Sequence, residues 1–136
     1  FRVVAVYGFL TSPVQLVMEL IPNGTLSQFL RNFDIVSAIH KVSMSTDIAE
    51  GMNFIHCQSI VHRDLKSANI LLDRGHRCMI TDFHLSSPSF SALSSAMQSS
   101  TSKEVGTLAY RAPETFGFKP KYTKASDVFS FAIVLW

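Results

Sequence analysis

Two apolar runs open the chain, "VVAVYGFL" at residues 3–10 and "VQLVMEL" at residues 14–20, separated by "TSP". Runs of this length, rich in valine and broken by proline, predict two strands with a short antiparallel connection. In the "IPNGTLSQFL" that follows, Pro22, Asn23 and Gly24 have the chemistry of a turn, and Thr25 is placed to cap a short helix through Leu30. From about Val42 to His56 the apolar positions Met44, Ile48, Met52 and Ile55 recur at steps of four, four and three. That spacing predicts an amphipathic helix whose methionines fill a core.

Beyond this helix, "ANILL" and "RCMITDF" read as two β-like runs around "DRGH", a tight connection. Residues 85–105 hold nine serines and Thr101 with little charge and one proline, too few large apolar side chains to pack alone, and read as a mobile loop. "KASDVFSFAIVLW" predicts a closing helix with Ser126 or Asp127 near its N-terminus. Its residues are apolar nearly all round, which predicts burial in the centre of a domain. No internal repeat is visible.

Composition narrows the picture. With 136 residues, 47% of them hydrophobic and 16% charged, the chain has the make-up of one globular domain. Its net charge of +2 is spread evenly, so no basic patch points to nucleic acid and no polybasic run to a membrane surface. Cys57 and Cys78 lack C-x-x-C spacing, so neither a disulfide framework nor a zinc site is indicated. The opening run lacks the basic flank of a signal peptide, and the closing "VFSFAIVLW" is well short of the roughly 20 residues that span a bilayer. No membrane segment is expected. A start at Phe1 and a stop at Trp136 inside an apolar run read as part of something longer.

Against this apolar background stands "IVHRDLKSANILL", residues 60–72, which places His62, Arg63, Asp64, Lys66 and Asn69 between two apolar runs. Asn69 lies five residues after Asp64, and Asp82 lies eighteen after it at the end of a β-like run. A hairpin between them would bring Asp64, Asn69 and Asp82 to one cleft. Oxygen ligands of this kind suit magnesium, which takes one or two carboxylates and substrate phosphates and keeps several waters.

At this point five motifs resemble those of eukaryotic protein kinases, in the family's order along the chain. "HRDLKSAN" is similar to the catalytic loop, and "DFH" stands where the family has D-F-G. "GTLAYRAPE", residues 106–114, resembles the end of the activation segment, and "SDVFSFAIVLW" the central helix of the large lobe. "LVMELIPNGTL" resembles the last small-lobe strand and the hinge. The resemblance covers essentially the whole chain and is nearest to the tyrosine-kinase-like group of serine/threonine kinases.

It implies an α+β, two-lobe kinase-like fold, incomplete: residues 1–20 as the end of the small lobe, and residues 21–136 as the hinge and the large lobe to its central helix. It further implies transfer of the ATP γ-phosphate to serine or threonine hydroxyls of a protein substrate, with ATP and Mg2+ as cofactors. Asp64 would accept or orient the hydroxyl proton, Lys66 would neutralise charge on the phosphoryl group, and Asn69 and Asp82 would hold magnesium. Met18 would back the adenine pocket, the backbone of Glu19 and Ile21 would bond the adenine edge, and Leu71 would form its floor. His62 and Phe83 would pack in the stack linking the lobes, and Arg63 would pair with a phosphate on the activation segment. Asp127 would anchor the catalytic loop from beneath. Lys66 with Thr107 favours serine/threonine over tyrosine specificity.

Three positions depart from the family. His84 replaces a glycine whose backbone freedom lets the segment swing. Phe129 for tryptophan and Ala132 for glycine are expected to lie in the core. Two function classes follow: an active kinase, from Asp64, Lys66, Asn69 and Asp82, and a pseudokinase acting as a nucleotide-binding or interaction module, from His84. The 136 residues contain no Gly-rich phosphate loop or small-lobe lysine motif, so alone they are expected to be inactive. The resemblance and the lack of a disulfide pattern imply a cytoplasmic location.

Overall fold

In the computed structural model the two opening runs pair as a hairpin, β1 (Val6–Thr11) and β2 (Val14–Met18), antiparallel from Thr11 opposite Val14 to Val6 opposite Met18. The structure describes residues 1–32, 36–82, 87–88 and 107–136. Phe83, His84 and most of the serine-rich stretch, for which a mobile loop was expected, lie outside the described residues.

Helix α1 (Leu26–Asn32) starts where the sequence places its cap. Thr25 Oγ1 accepts the Gln28 N–H at 3.1 Å, and Gln28 Oε1 accepts the Thr25 N–H at 2.9 Å, so two donors of the first turn are satisfied reciprocally. Helix α2 (Ala38–Cys57) begins a turn earlier than its apolar period, because Ser37 caps it through the His40 N–H while Ile39 and Val42 face solvent. An exposed first turn carries no periodic signal.

The face predicted for α2 is the buried one: Met44, Ile48, Met52 and Ile55 pack with Leu26, Leu65, Ile70, Leu72, Cys78 and Ile80 into the core. Three short strands border it, β3 (Ile60–Val61), β4 (Ile70–Leu72) and β5 (Cys78–Ile80), and β4 and β5 form the expected hairpin with Ile70 opposite Ile80. Asp73 Oδ1 closes its turn by accepting the Gly75 and Arg77 N–H groups at 2.8 and 2.9 Å. Within the stretch read as a loop, β6 (Ser87–Pro88) pairs antiparallel with β3. Val3 also bridges to Ile80, so the N-terminal segment runs beside β5.

Helix α3 (Lys124–Leu135) has the predicted position and a capping box between Thr123 and Ser126, but not the predicted burial. Its buried residues are the polar Ser126, Asp127 and Ser130, whereas Val128 is 59% exposed and Leu135 52%. Phe129 is 37% exposed and Ala132 is exposed, so neither is a core residue as expected. Part of the inward face of α3 is used for hydrogen bonds to loops, while Phe131 and Val134 are partly buried against the core and Val128, Phe129 and Leu135 are exposed. With three helices and short paired strands around one core among the described residues, the α+β expectation holds.

Candidate active site

The segment between β3 and β4 brings Asp64, Lys66 and Asn69 together. Asp64 is 5% exposed, and all four of its acceptor directions are used. Oδ2 accepts from Lys66 Nζ at 2.6 Å and Asn69 Nδ2 at 3.1 Å, while Oδ1 accepts the Thr107 N–H at 2.9 Å and the Thr107 hydroxyl at 3.0 Å. Lys66 Nζ also donates to Thr107 Oγ1 at 2.8 Å, closing a triangle across 41 residues of chain. Burial pushes the Asp64 carboxyl up, but the Lys66 ammonium and the Thr107 donors outweigh it and hold the group below the usual carboxylate range.

This loop is fastened from beneath by Asp127, 1% exposed on α3, as the sequence implied. Its carboxylate accepts the N–H of His62 at 2.9 Å and of Arg63 at 3.0 Å, and it also contacts His56 Nε2 at 2.9 Å. Arg63 has φ 71°, a left-handed backbone that costs a non-glycine residue about 1–2 kcal/mol. Two amides gripped by one buried carboxylate hold that conformation in place.

His62 is fully buried and more polar in its role than a packing residue. Its Nε2 lies 3.0 Å from the Thr81 carbonyl, and its Nδ1 accepts the Asp64 N–H at 3.3 Å, which fixes the neutral tautomer with the proton on Nε2. Burial drives its pKa down despite the neighbouring carboxylates. His62 thus joins the loop that carries Asp64 to the strand that leads to Asp82.

Asp82 follows β5 by two residues, half-buried, with φ 71°. The Thr81 N–H donates to the Asn69 carbonyl at 3.0 Å, so Asn69 and Asp82 flank one rung of the β4–β5 pairing. Asn69 Nδ2 donates to the Asp64 carbonyl at 2.9 Å as well as to its carboxylate. That commits the amide nitrogen and turns Oδ1 to the other side. An amide oxygen beside a carboxylate is a hard donor set of the kind magnesium takes, with its remaining ligands from water and phosphate. Among the described residues no group of three or more His, Cys, Asp or Glu could hold a metal.

Met18, Glu19 and Ile21, expected to form a hinge, are placed mainly by backbone. Met18 ends β2 and is 37% exposed, the Glu19 N–H donates to the Ala5 carbonyl at 2.8 Å, and Ile21 is half-buried beyond it. The next turn is tied to β4: Asn23 N–H donates to the Leu72 carbonyl at 3.0 Å, Leu72 N–H to the Gly24 carbonyl at 2.9 Å, and Thr25 bridges Leu71. Leu71 is therefore linked to residues 18–21 through this turn. No direct contact between Leu71 and Met18 is part of the described geometry.

Two arginines lie on the far side of the loop. The Arg63 guanidinium sits 5.3 Å from the Tyr122 ring centroid, and its buried Nε has no hydrogen-bond partner among the described residues. Arg111 bonds the Thr115 carbonyl and hydroxyl and stacks 4.2 Å from the Phe116 ring centroid.

Thr107 is the site residue that motif reading undervalued: it was read as a sign of substrate class, yet it bonds both Asp64 and Lys66. The His56 contact with Asp127 could have been suspected only from its position at the end of α2.

The chain is 42% identical over 126 residues, 90% of its length, to probable serine/threonine-protein kinase drkC of Dictyostelium discoideum, and covers 16% of that protein. It is 37% identical over 137 residues, 98% of its length, to mouse receptor-interacting serine/threonine-protein kinase 4 and covers 17% of it. It is likewise 38% identical over 140 residues, 99% of its length, to zebrafish ephrin type-B receptor 4b and covers 14% of it. The chain thus spans about one sixth of the length of the curated relatives it matches. The family model described as protein tyrosine and serine/threonine kinase matches residues 1–136, and the chain belongs to that family.

Proposed function

We propose that this chain carries the catalytic loop and cation-holding residues of a protein kinase that transfers the γ-phosphate of ATP to serine or threonine hydroxyls. Residues 1–20 would end a small lobe, and residues 21–136 would supply the hinge and large lobe to its central helix. The observation that carries the reading is the Asp64 carboxylate, buried and bonded at once by Lys66, Asn69 and Thr107.

In the proposed reaction the acceptor hydroxyl oxygen bonds to the γ-phosphorus as the bond from that phosphorus to the bridging oxygen breaks. The leaving ADP keeps the electron pair, and the hydroxyl proton passes to Asp64. A carboxylate held below its usual range is a weak base, so Asp64 chiefly orients the hydroxyl and takes the proton late. Lys66, already against Asp64 Oδ2, is placed to balance charge on the phosphoryl oxygens. Asn69 through Oδ1 and Asp82 through its carboxylate would hold magnesium, which, when bound, screens the phosphate charge. The backbone of Glu19 and Ile21 would take the adenine edge, with Met18 behind it and Leu71 below. Arg63, whose Nε is an open buried donor, would take a phosphate on residues 86–107.

The second reading, a pseudokinase, rests on His84 at the glycine position. Magnesium-dependent transfer to a generic serine/threonine substrate by the intact protein, with a His84→Gly variant beside it, separates the two. Transfer by the wild type, on serine or threonine by phosphoamino-acid analysis, is expected. Transfer gained only in His84→Gly would establish the pseudokinase. The 136 residues alone are expected to transfer nothing, and Asp64-dependent transfer by them would contradict this.

A further inference from the structure

The reading above leaves one fully buried charge unused. Asp47, 0% exposed on α2, lies outside the candidate site, and a carboxylate at that depth needs partners. It has three, from two segments. The Arg77 fork reaches it with Nε 2.9 Å from Oδ2 and Nη2 2.5 Å from Oδ1, the Cys78 N–H donates to Oδ2 at 3.0 Å, and Arg2 Nε lies 3.0 Å from Oδ1.

These contacts close a ring around β5. The strand begins at Cys78, held by Asp47, and ends at Ile80, whose N–H donates to the Arg2 carbonyl at 2.9 Å and whose carbonyl accepts the Val4 N–H at 2.9 Å. The Arg2 side chain returns to Asp47. One helical turn further on, a Cβ at Gly51 would stand 2.6 Å from the Arg2 carbonyl oxygen and 2.8 Å from Ile80 Cδ1. Positions 47 and 51 share a face of α2, so charge and close approach set the same distance between α2, β5 and the N-terminal segment.

We propose that Asp47 is a positioning residue: with Arg77 and Arg2 it fixes β5 against α2 and thereby sets where Asp82 stands relative to Asn69. The inference rests on Asn69 and Asp82 being the cation ligands. Asp82 lies two residues past β5, and the bond from Thr81 N–H to the Asn69 carbonyl transmits any slip of the strand to that pair. Apolar groups in place of a whole buried ion pair are often nearly neutral for stability, removal of one partner alone is destabilising, and ligands displaced by about an ångström lose much of their effect. An ion pair kept here therefore has its main consequence in geometry.

The test is Mn2+ binding to the intact protein with ATP present, read from the free-ion electron paramagnetic resonance signal, with thermal melting alongside. Asp82→Asn is the reference, Arg77→Met removes the fork at a half-exposed side chain, Arg77→Lys keeps the charge, and Asp47→Asn removes the node. Arg77→Met should weaken Mn2+ binding about tenfold, the lower end of what outer partners of a metal site supply. Its melting temperature should fall, because the buried Asp47 keeps only Arg2 and the Cys78 N–H, so Mn2+ binding is read well below the transition, and Arg77→Lys should recover part of the lost affinity. If Asp47→Asn does not fold, Arg77→Met decides. Wild-type Mn2+ affinity in Arg77→Met and Asp47→Asn, with affinity lost in Asp82→Asn, would overturn the positioning role alone. Equal binding by wild type and Asp82→Asn would overturn the ligand assignment and this inference with it.

Discussion

The loop over residues 60–72 and the hairpin of β1 and β2 contribute to the same candidate site by opposite means. In the loop the side chains do the holding: His62, Asp64, Leu65 and Asn69 are all buried, and each polar one is bonded to a specific partner. In the hairpin the backbone does it, and the side chains look outward, with Phe9 73% and Val14 85% exposed. The difference teaches where residue identity matters. A substitution in the loop leaves a buried group without its partner, whereas one in the hairpin leaves the ladder intact.

Substitutions ranked by effect can break that contrast. The largest is Asp64→Asn, which keeps the shape but loses the carboxylate proposed to serve the acceptor hydroxyl. It should lower kcat of the intact protein by about 10²–10⁴-fold and also lower the melting temperature, because Lys66 loses its charged partner. Next is Asp127→Ala, which strips the partner from two loop amides and His56. Urea unfolding should show a loss of about 3–5 kcal/mol, the range for breaking a buried charge network.

A smaller and graded effect is expected from acid. His62 is held neutral by burial, with its folded pKa below the ordinary value of about 6.5, so it binds fewer protons folded than unfolded. Its contribution is present above that pH and is lost as pH falls through the lower folded value. Asp64 and Asp47 are also held below their ordinary range, so theirs is lost as pH falls below about 4. Denaturation midpoints should therefore decline in two stages on acidification, and Asp64→Asn should shrink the second. The smallest effect belongs to the hairpin: Val14→Thr should change stability by no more than about 0.5 kcal/mol. A loss of several times that would mean the hairpin face is covered in the intact protein and the contrast does not hold.

Much of this was legible in sequence, for identifiable reasons. The α2 face, the Thr25 cap and the "DRGH" turn follow from local rules that local residues satisfy. Asp64, Lys66, Asn69 and Asp82 stood out because charge interrupts apolar runs at a spacing that a hairpin can close. What escaped notice depends on distant partners. Asp47 looks like any acid on a helix until Arg2, Arg77 and Cys78 converge on it. The burial of α3 was misjudged because apolar content all round suggests a buried helix, whereas here Asp127 and Ser130 turn inward to bond loops. Thr107 bonds across 43 residues to Asp64, a distance no periodicity reports.

The central claim is a division of labour, with Asp64 serving the acceptor hydroxyl and Asn69 with Asp82 serving the cation. It is tested most directly by calorimetric binding of magnesium and ATP to the intact protein, its Asp64→Asn variant and its Asp82→Asn variant. The account predicts wild-type affinity in Asp64→Asn and a marked loss in Asp82→Asn, with phosphate transfer lost in both. Equal affinity in all three proteins, or a loss confined to Asp64→Asn, would contradict it.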